Sequence, residues 1–416
     1  MTLLGRFFVF AMVFALAGCS GVRVLAPTPN IYAIEGYPEQ TVPAALKTAQ
    51  ASIFYVTDRN RLPGETTEYG AERSSSMAFG VSKVSFGKAS DWDQILAASS
   101  ELDRKAELAL NLVETREIMQ FDPTPTPFDV VNGKPVRRPA AVKSYNANRA
   151  AFQAEIRKQM KLSNTPEVTI FIHGFNNTFE DATYSLADIW HFSGRNGVPI
   201  LYSWPAGAGG PFGYFTDREA GEFTVFHLKE FLRQLAHIPE LEKINIVAHS
   251  RGTDVTTTAL RELIIEARGL QSSPLKTLKI SNLILAAPDL DFSVVRQRLI
   301  AEGFGASIGQ ITVYMNQGDS ALGLAQRLMT GQRLGTLTVD DLEDPEREIF
   351  AAVKTVSFVN VDGVKGLTGH NYFRTNRNVL SDIGLILREN APAGSARRPL
   401  VRLEGNFWNM PESYPG

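Results

Sequence analysis

Ile244-Asn245-Ile246-Val247-Ala248-His249-Ser250-Arg251-Gly252-Thr253 is an apolar strand that runs into a small-x-Ser-x-Gly turn and then into a helix. This is the sequence form of a nucleophile elbow. The turn is strained, and side chains at 248 or 252 would collide with the neighbouring strand and helix, so both positions call for small residues. Gly252 meets that need, and Ala248 stands where glycine is more usual. A plainer role for Ser250 is an N-cap hydroxyl satisfying a backbone N–H at the start of the helix.

Working outward, short β-branched or aromatic runs alternate with longer segments of helical period, the sign of an α/β protein with a mostly parallel sheet. About eight strands are expected, near 52–56, 76–86, 167–172, 199–203, 243–248, 280–286, 310–315 and 354–361. Val168-Thr169-Ile170-Phe171-Ile172 is apolar except for one threonine, as a strand covered on both faces should be. Helices are expected over 178–192, 217–235, 252–267, 293–302, 320–329 and 374–388. An insertion over 88–166 separates strands two and three and reads as a helical decoration, with helices from Glu101 to Met119 and from Ala147 to Leu162. The glycine-rich run 205–214 lacks a P-loop lysine and dinucleotide spacing. It follows a parallel strand, which makes it a candidate rim or lid.

A serine hydroxyl is a weak nucleophile unless an imidazole accepts its proton and a carboxylate orients that imidazole. Of six histidines only His370 follows Ser250, in Gly369-His370-Asn371-Tyr372 past the last expected strand. The acid is open among strand-end aspartates: Asp319 after the seventh strand is preferred, with Asp289 and Asp291 after the sixth as alternatives and Asp362 reading as a turn. Two backbone N–H groups must face the developing oxyanion. Arg251 would supply one, and Phe175, in the His173-Gly174-Phe175-Asn176-Asn177 loop, the other. His173 and His249 are read as structural, and no spacing supports a metal site.

His-Gly-Phe-Asn at 173–176, Tyr202-Ser203-Trp204-Pro205, Ala-His-Ser-x-Gly at 248–252, Ala286-Ala287-Pro288-Asp289, Gly318-Asp319 and Gly369-His370 together resemble the esterase/lipase-like α/β-hydrolases of bacterial envelope proteins, a family formerly grouped as uncharacterised hydrolases. Phe54-Tyr55-Val56-Thr57-Asp58-Arg59 is similar to that family's opening strand. The resemblance runs from about 52 to 388 and implies the α/β-hydrolase fold, a serine carboxylic-ester hydrolase working through an acyl-enzyme, and no cofactor. Arg251 departs from it, since many relatives carry an apolar residue there.

The 416 residues hold 42 Lys+Arg against 44 Asp+Glu, so no basic excess draws the chain to nucleic acid. The single cysteine, Cys19, excludes a disulfide framework and thiolate metal sites. It follows a basic start, an apolar run and Leu16-Ala17-Gly18, an order that resembles the bacterial lipoprotein cleavage box. The expected organisation is a signal peptide over 1–18, a proline-rich tether over 19–50, a hydrolase domain over 51–390 and a tail over 391–416. Lipidated Cys19 would anchor the protein in the bacterial envelope, at the outer membrane facing the periplasm. A small-molecule or lipid ester is the expected substrate. The rivals are an inactive structural or interaction lipoprotein and an acyltransferase using the same triad.

Overall fold

The computed structural model describes residues 22–415 apart from 90, 105, 106, 210, 211, 330, 365 and 366. The signal peptide and Cys19 lie outside the described residues. The chain forms β1 (Gln50–Arg61), β2 (Tyr69–Phe86), β3 (Leu110–Gln120), a hairpin of β4 (Phe128–Val131) and β5 (Lys134–Arg137), then β6 (Glu167–Ile172), β7 (Val198–Ser203), β8 (Lys243–His249), β9 (Ile280–Ala286), β10 (Gln310–Met315), β11 (Val356–Asn360), β12 (Val401–Arg402) and β13 (Phe407–Asn409). Eleven of these strands make one sheet in the order β12-β13-β11-β10-β9-β8-β6-β7-β1-β2-β3. Every pairing from β1 through β7, β6, β8, β9, β10 and β11 to β13 is parallel, and the antiparallel strands sit at the two edges.

The expected α/β fold is present, with three more strands in the sheet than expected: β3 and β12 are its two edges, and β13 lies just inside β12. The largest correction concerns 101–119, expected as a helix. It begins just past a short helix, Trp92–Ser100, and from Leu110 it is β3, antiparallel to β2. Its glutamates and arginine suit a helix by composition, but Leu110 and Leu112 alternate toward the core while Glu114 pairs with Lys83 across the ladder at 2.7 Å. Charges on an outermost strand also discourage pairing with another chain. The insertion therefore extends the sheet as well as decorating it. Its second helix, Pro139–Ser163, starts earlier than expected because Pro139 occupies the first helical turn, where its missing N–H costs nothing.

Two further segments depart from the expected tether and tail. Leu25, Ile31, Tyr32, Tyr37 and Val42 are buried with Trp92 and Phe192 in one of the two apolar cores, and the Tyr37 hydroxyl donates to the His191 carbonyl at 2.8 Å. At the other end β12 and β13 join the sheet, and the fully buried Arg398–Asp382 pair, at 2.7 Å, fastens the segment between them and the helix Arg377–Glu389. Aromatic side chains in both segments bury too much apolar surface for either to remain a free linker.

Asp188 gives the N-terminal docking a measurable signature. It is fully buried in the helix Phe179–Phe192 and accepts the Ala26 N–H at 3.0 Å, while its other oxygen has no hydrogen-bond partner among the described residues. Burial raises its pKa to about 6 against the opposing pull of Arg23 and the Ala26 N–H. The folded state therefore favours the protonated form. This group's contribution to stability is greatest below pH 4 and is lost as pH rises to about 6. Asp188→Asn should be more stable than wild type at pH 8, by about 2–3 kcal/mol and with a higher melting temperature, and like wild type near pH 4. Equal melting differences at both pH values would contradict the assignment.

Candidate active site

Six successive loops at the carboxyl ends of β6 to β11 meet at one place, which is where parallel α/β sheets put their sites. β8 delivers the sharpest of them. Ser250 has φ +51°, a left-handed conformation unusual for a residue with a side chain, and it lies between His249 and the helix Gly252–Gly269. A Cβ at 252 would sit 2.3 Å from the His173 carbonyl oxygen and 2.7 Å from that of Ile172, so the collision expected at this position is real. Gly174 is equally constrained, since a Cβ there would come within 2.8 Å of the Ser250 Cβ. These contacts let the ends of β6 and β8 approach closely enough to share one site.

The Ser250 Oγ lies 2.8 Å from His370 Nε2, and His370 Nδ1 lies 2.7 Å from an Asp319 carboxylate oxygen. With Nδ1–H donating to the carboxylate, Nε2 is left as the acceptor for the serine proton. Asp319 is buried at the start of the helix Ser320–Met329. Its second oxygen accepts the N–H groups of Ala321 at 3.0 Å and Leu322 at 3.1 Å. The capping role and the histidine contact are thus held by different oxygens of one carboxylate.

The other aspartates face elsewhere. Asp289 accepts the Tyr214 hydroxyl at 2.8 Å and lies beside Arg333, and Asp291 caps the helix Phe292–Val295 through the Ser293 N–H. Asp362 accepts from Asn360 in an exposed turn.

His249 and His173 are both buried. His249 Nε2 lies 3.0 Å from the His370 carbonyl oxygen and steadies the loop that carries the imidazole. Burial, with the nearby His370, holds its pKa well below the usual histidine range, so it is a neutral donor. His173 Nδ1 faces the Gly174 carbonyl at 2.9 Å, its ring stacks on Trp204, and burial with the adjacent Arg59 keeps it neutral too. Arg251 pairs with Asp254 at 2.8 Å; burial opposes its charge, and Asp254, Asp289, Tyr214 and Glu222 together more than offset that opposition. Among the described residues neither the Phe175 nor the Arg251 backbone N–H has an intramolecular acceptor.

Sequence reading missed Asn316. Its amide donates to the carbonyls of Val364 at 3.0 Å and Gly369 at 3.1 Å, and its oxygen accepts the Gly318 N–H at 2.9 Å. One side chain therefore spans the turn bearing Asp319 and the loop bearing His370. The available signal was an asparagine at the end of β10, two residues before Gly318. The 205–214 run does border this region: Tyr214 packs edge-on against Phe175 at 5.4 Å, and Phe212 and Phe215 are exposed beside it.

A parallel sheet with a left-handed serine at the elbow of its central strand, and helices covering both faces, defines an α/β hydrolase. Residues 148–388 match the family described as "Alpha/beta hydrolase of unknown function (DUF900)", and the chain belongs to that family. No curated protein matches. Among solved structures the chain is similar to a Pyrobaculum calidifontis esterase in a monoclinic form, at 13% identity over 60% of this chain and 94% of that one, with a TM-score of 0.30. A second structure, described as a hyperthermophilic esterase from the same archaeon, is 14% identical over 55% of this chain and 76% of that one, with a TM-score of 0.28.

Proposed function

We propose that the protein is a serine carboxylic-ester hydrolase in which Ser250 is the nucleophile, His370 the general base and then acid, and Asp319 the residue that orients the imidazole. The observation that carries this reading is the unbroken hydrogen-bond chain from Asp319 through His370 to a serine strained into the left-handed region. Ser250 Oγ attacks the ester carbonyl carbon while its proton moves to His370 Nε2. The carbonyl oxygen gains charge and is met by the Phe175 and Arg251 N–H groups. The intermediate collapses, the alcohol leaves with the proton from His370, and an acyl-Ser250 remains. Water, deprotonated by the same nitrogen, attacks that acyl group; the carboxylic acid departs and the serine is restored.

Anchoring through a lipidated Cys19 at the outer membrane would set this chemistry at a lipid surface. Several acyl chains would hold it there stably, because each buried CH₂ contributes about 0.8 kcal/mol. Mass spectrometry of the membrane-extracted N-terminus should show an acylated Cys19, and an unmodified Met1 would refute the anchor. For the activity, the purified protein should react once with a fluorophosphonate and hydrolyse a chain-length series of aryl esters. A wild-type protein that neither labels nor turns over would favour the inactive scaffold.

A further inference from the structure

Two buried charges hold the loop that would carry the Phe175 N–H. Arg59, at the end of β1, is 3% exposed. Its guanidinium donates to the Asn177 carbonyl at 2.7 Å, the Ala206 carbonyl at 2.7 Å, the Gly70 carbonyl at 2.9 Å and the Ser203 hydroxyl at 2.8 Å, and reaches His173 Nε2 at 3.3 Å. Asp217, in the helix Gly213–Ala236, is 1% exposed. Its carboxylate accepts the N–H groups of Asn176 at 2.9 Å, Gly207 at 3.0 Å and Ala208 at 3.4 Å.

The two charges divide the same pair of loops between them. After β6 the guanidinium takes a carbonyl and the carboxylate an N–H, and after β7 they do the same. The loops touch where a Cβ on Gly207 would lie 3.1 Å from the Asn177 carbonyl oxygen. Burial lowers the Arg59 pKa to about 10, which leaves it a cation; Asp58 and then Asp217 offset part of that cost. Burial likewise pushes the Asp217 carboxyl up, against the pull of the Asn176, Gly207 and Ala208 N–H groups. Phe175 sits between anchored neighbours: the His173 carbonyl accepts the Trp204 indole N–H at 2.7 Å, Asn176 is bound to Asp217, and Asn177 to Arg59.

We propose that Arg59 and Asp217 form an ionic clamp across the loops after β6 and β7 that presets the Phe175 N–H for the oxyanion. Both are positioning residues for the reaction, and the inference rests on the serine-hydrolase reading above. A donor aimed in advance lowers the barrier because it needs no reorganisation when charge develops. Ser250, His370 and Asp319 stand on other loops, so loosening the clamp should leave the nucleophile able to react and impair the charged transition state.

The test uses the full chain. Arg59→Lys keeps a cation but cannot reproduce the forked contacts, and Asp217→Asn keeps size and loses the charge. Each is expected to lower kcat for an aryl ester by about 10–10²-fold, a fraction of what losing an oxyanion donor costs. KM should change less than about threefold, and titration with the fluorophosphonate should remain stoichiometric. Binding of an aryl boronic acid, which forms a charged tetrahedral adduct, should weaken in step with kcat; a purely structural role would lower the melting temperature without that correlation. The double variant should lose less than the product of the two single losses, because both act on one pair of loops. If Arg59→Lys does not fold, Asp217→Asn decides the matter alone. Folded, titratable variants with wild-type kcat overturn the clamp. A wild type that does not react with the probe overturns the hydrolase reading instead, which keeps the two failures apart.

Discussion

Ser250→Ala is expected to abolish labelling by a fluorophosphonate and to cut ester turnover by about 10⁴–10⁶-fold, leaving the residual rate that binding and the oxyanion donors supply alone. The variant should fold, because the hydroxyl's contact is with the half-buried His370 and the tight packing of the elbow comes from Gly252 and Gly174. Intact mass after probe treatment and initial rates on an aryl ester check both parts. The protein offers an internal control. Thr124 Oγ lies 2.8 Å from His227 Nε2, and His227 Nδ1 lies 2.8 Å from Asp58, so a second hydroxyl–imidazole–carboxylate chain repeats the first in its distances. Its surroundings differ: the Thr124 N–H is bound to the Ser75 carbonyl at 2.8 Å, and its hydroxyl also lies 3.2 Å from that oxygen. Thr124 is outside the left-handed region, its own N–H is taken, and its neighbours Pro123 and Pro125 carry none, so it should remain unlabelled in wild type and variant alike. Label on Thr124, or equal labelling of the Ser250 variant, would move the nucleophile away from Ser250.

The elbow and the central strands were legible because their signals are local. An apolar run, a small residue, a serine and a glycine within ten positions specify a strand, a strained turn and a helix together. The acid was less legible because capping a helix and orienting a histidine ask for the same residue at the same strand end. Asp319 and Asp291 both cap, and Asp319 alone also meets His370. The edges of the sheet were misread for a different reason. β3 carries charges that suit a helix, and only its partner β2 makes it a strand, which is tertiary context overriding propensity. The tether and tail failed likewise: proline spacing suggested a loose chain over 19–50, and the tail was set off past the last expected helix, while Tyr32, Tyr37 and Tyr414 are buried by residues far away in sequence. Asp217 and Asn316 left almost no trace, and Arg59 showed only as the last residue of the opening-strand resemblance, because each acts on the backbone of loops distant in sequence, and no short pattern records such a contact.

Asp319→Asn should lower kcat by about 10⁴-fold while the protein keeps its fold. The two roles of the carboxylate predict this separation. An asparagine oxygen can still accept the Ala321 and Leu322 N–H groups, so the start of the helix Ser320–Met329 survives. Its amide N–H₂ would instead face His370 Nδ1. Nδ1 would then act as acceptor, the ring proton would sit on Nε2, and the imidazole could no longer take the Ser250 proton. The imidazolium formed during attack would also lose its balancing charge. Asp289→Asn provides the comparison: that carboxylate faces Tyr214 and Arg333, so its loss should alter kcat less than about tenfold. Melting temperatures within a few degrees of wild type for both variants, with rates separated by about three orders of magnitude, would place the orienting role on Asp319. The reverse ranking would transfer it to Asp289 and require the loop carrying His370 to rearrange in the working enzyme.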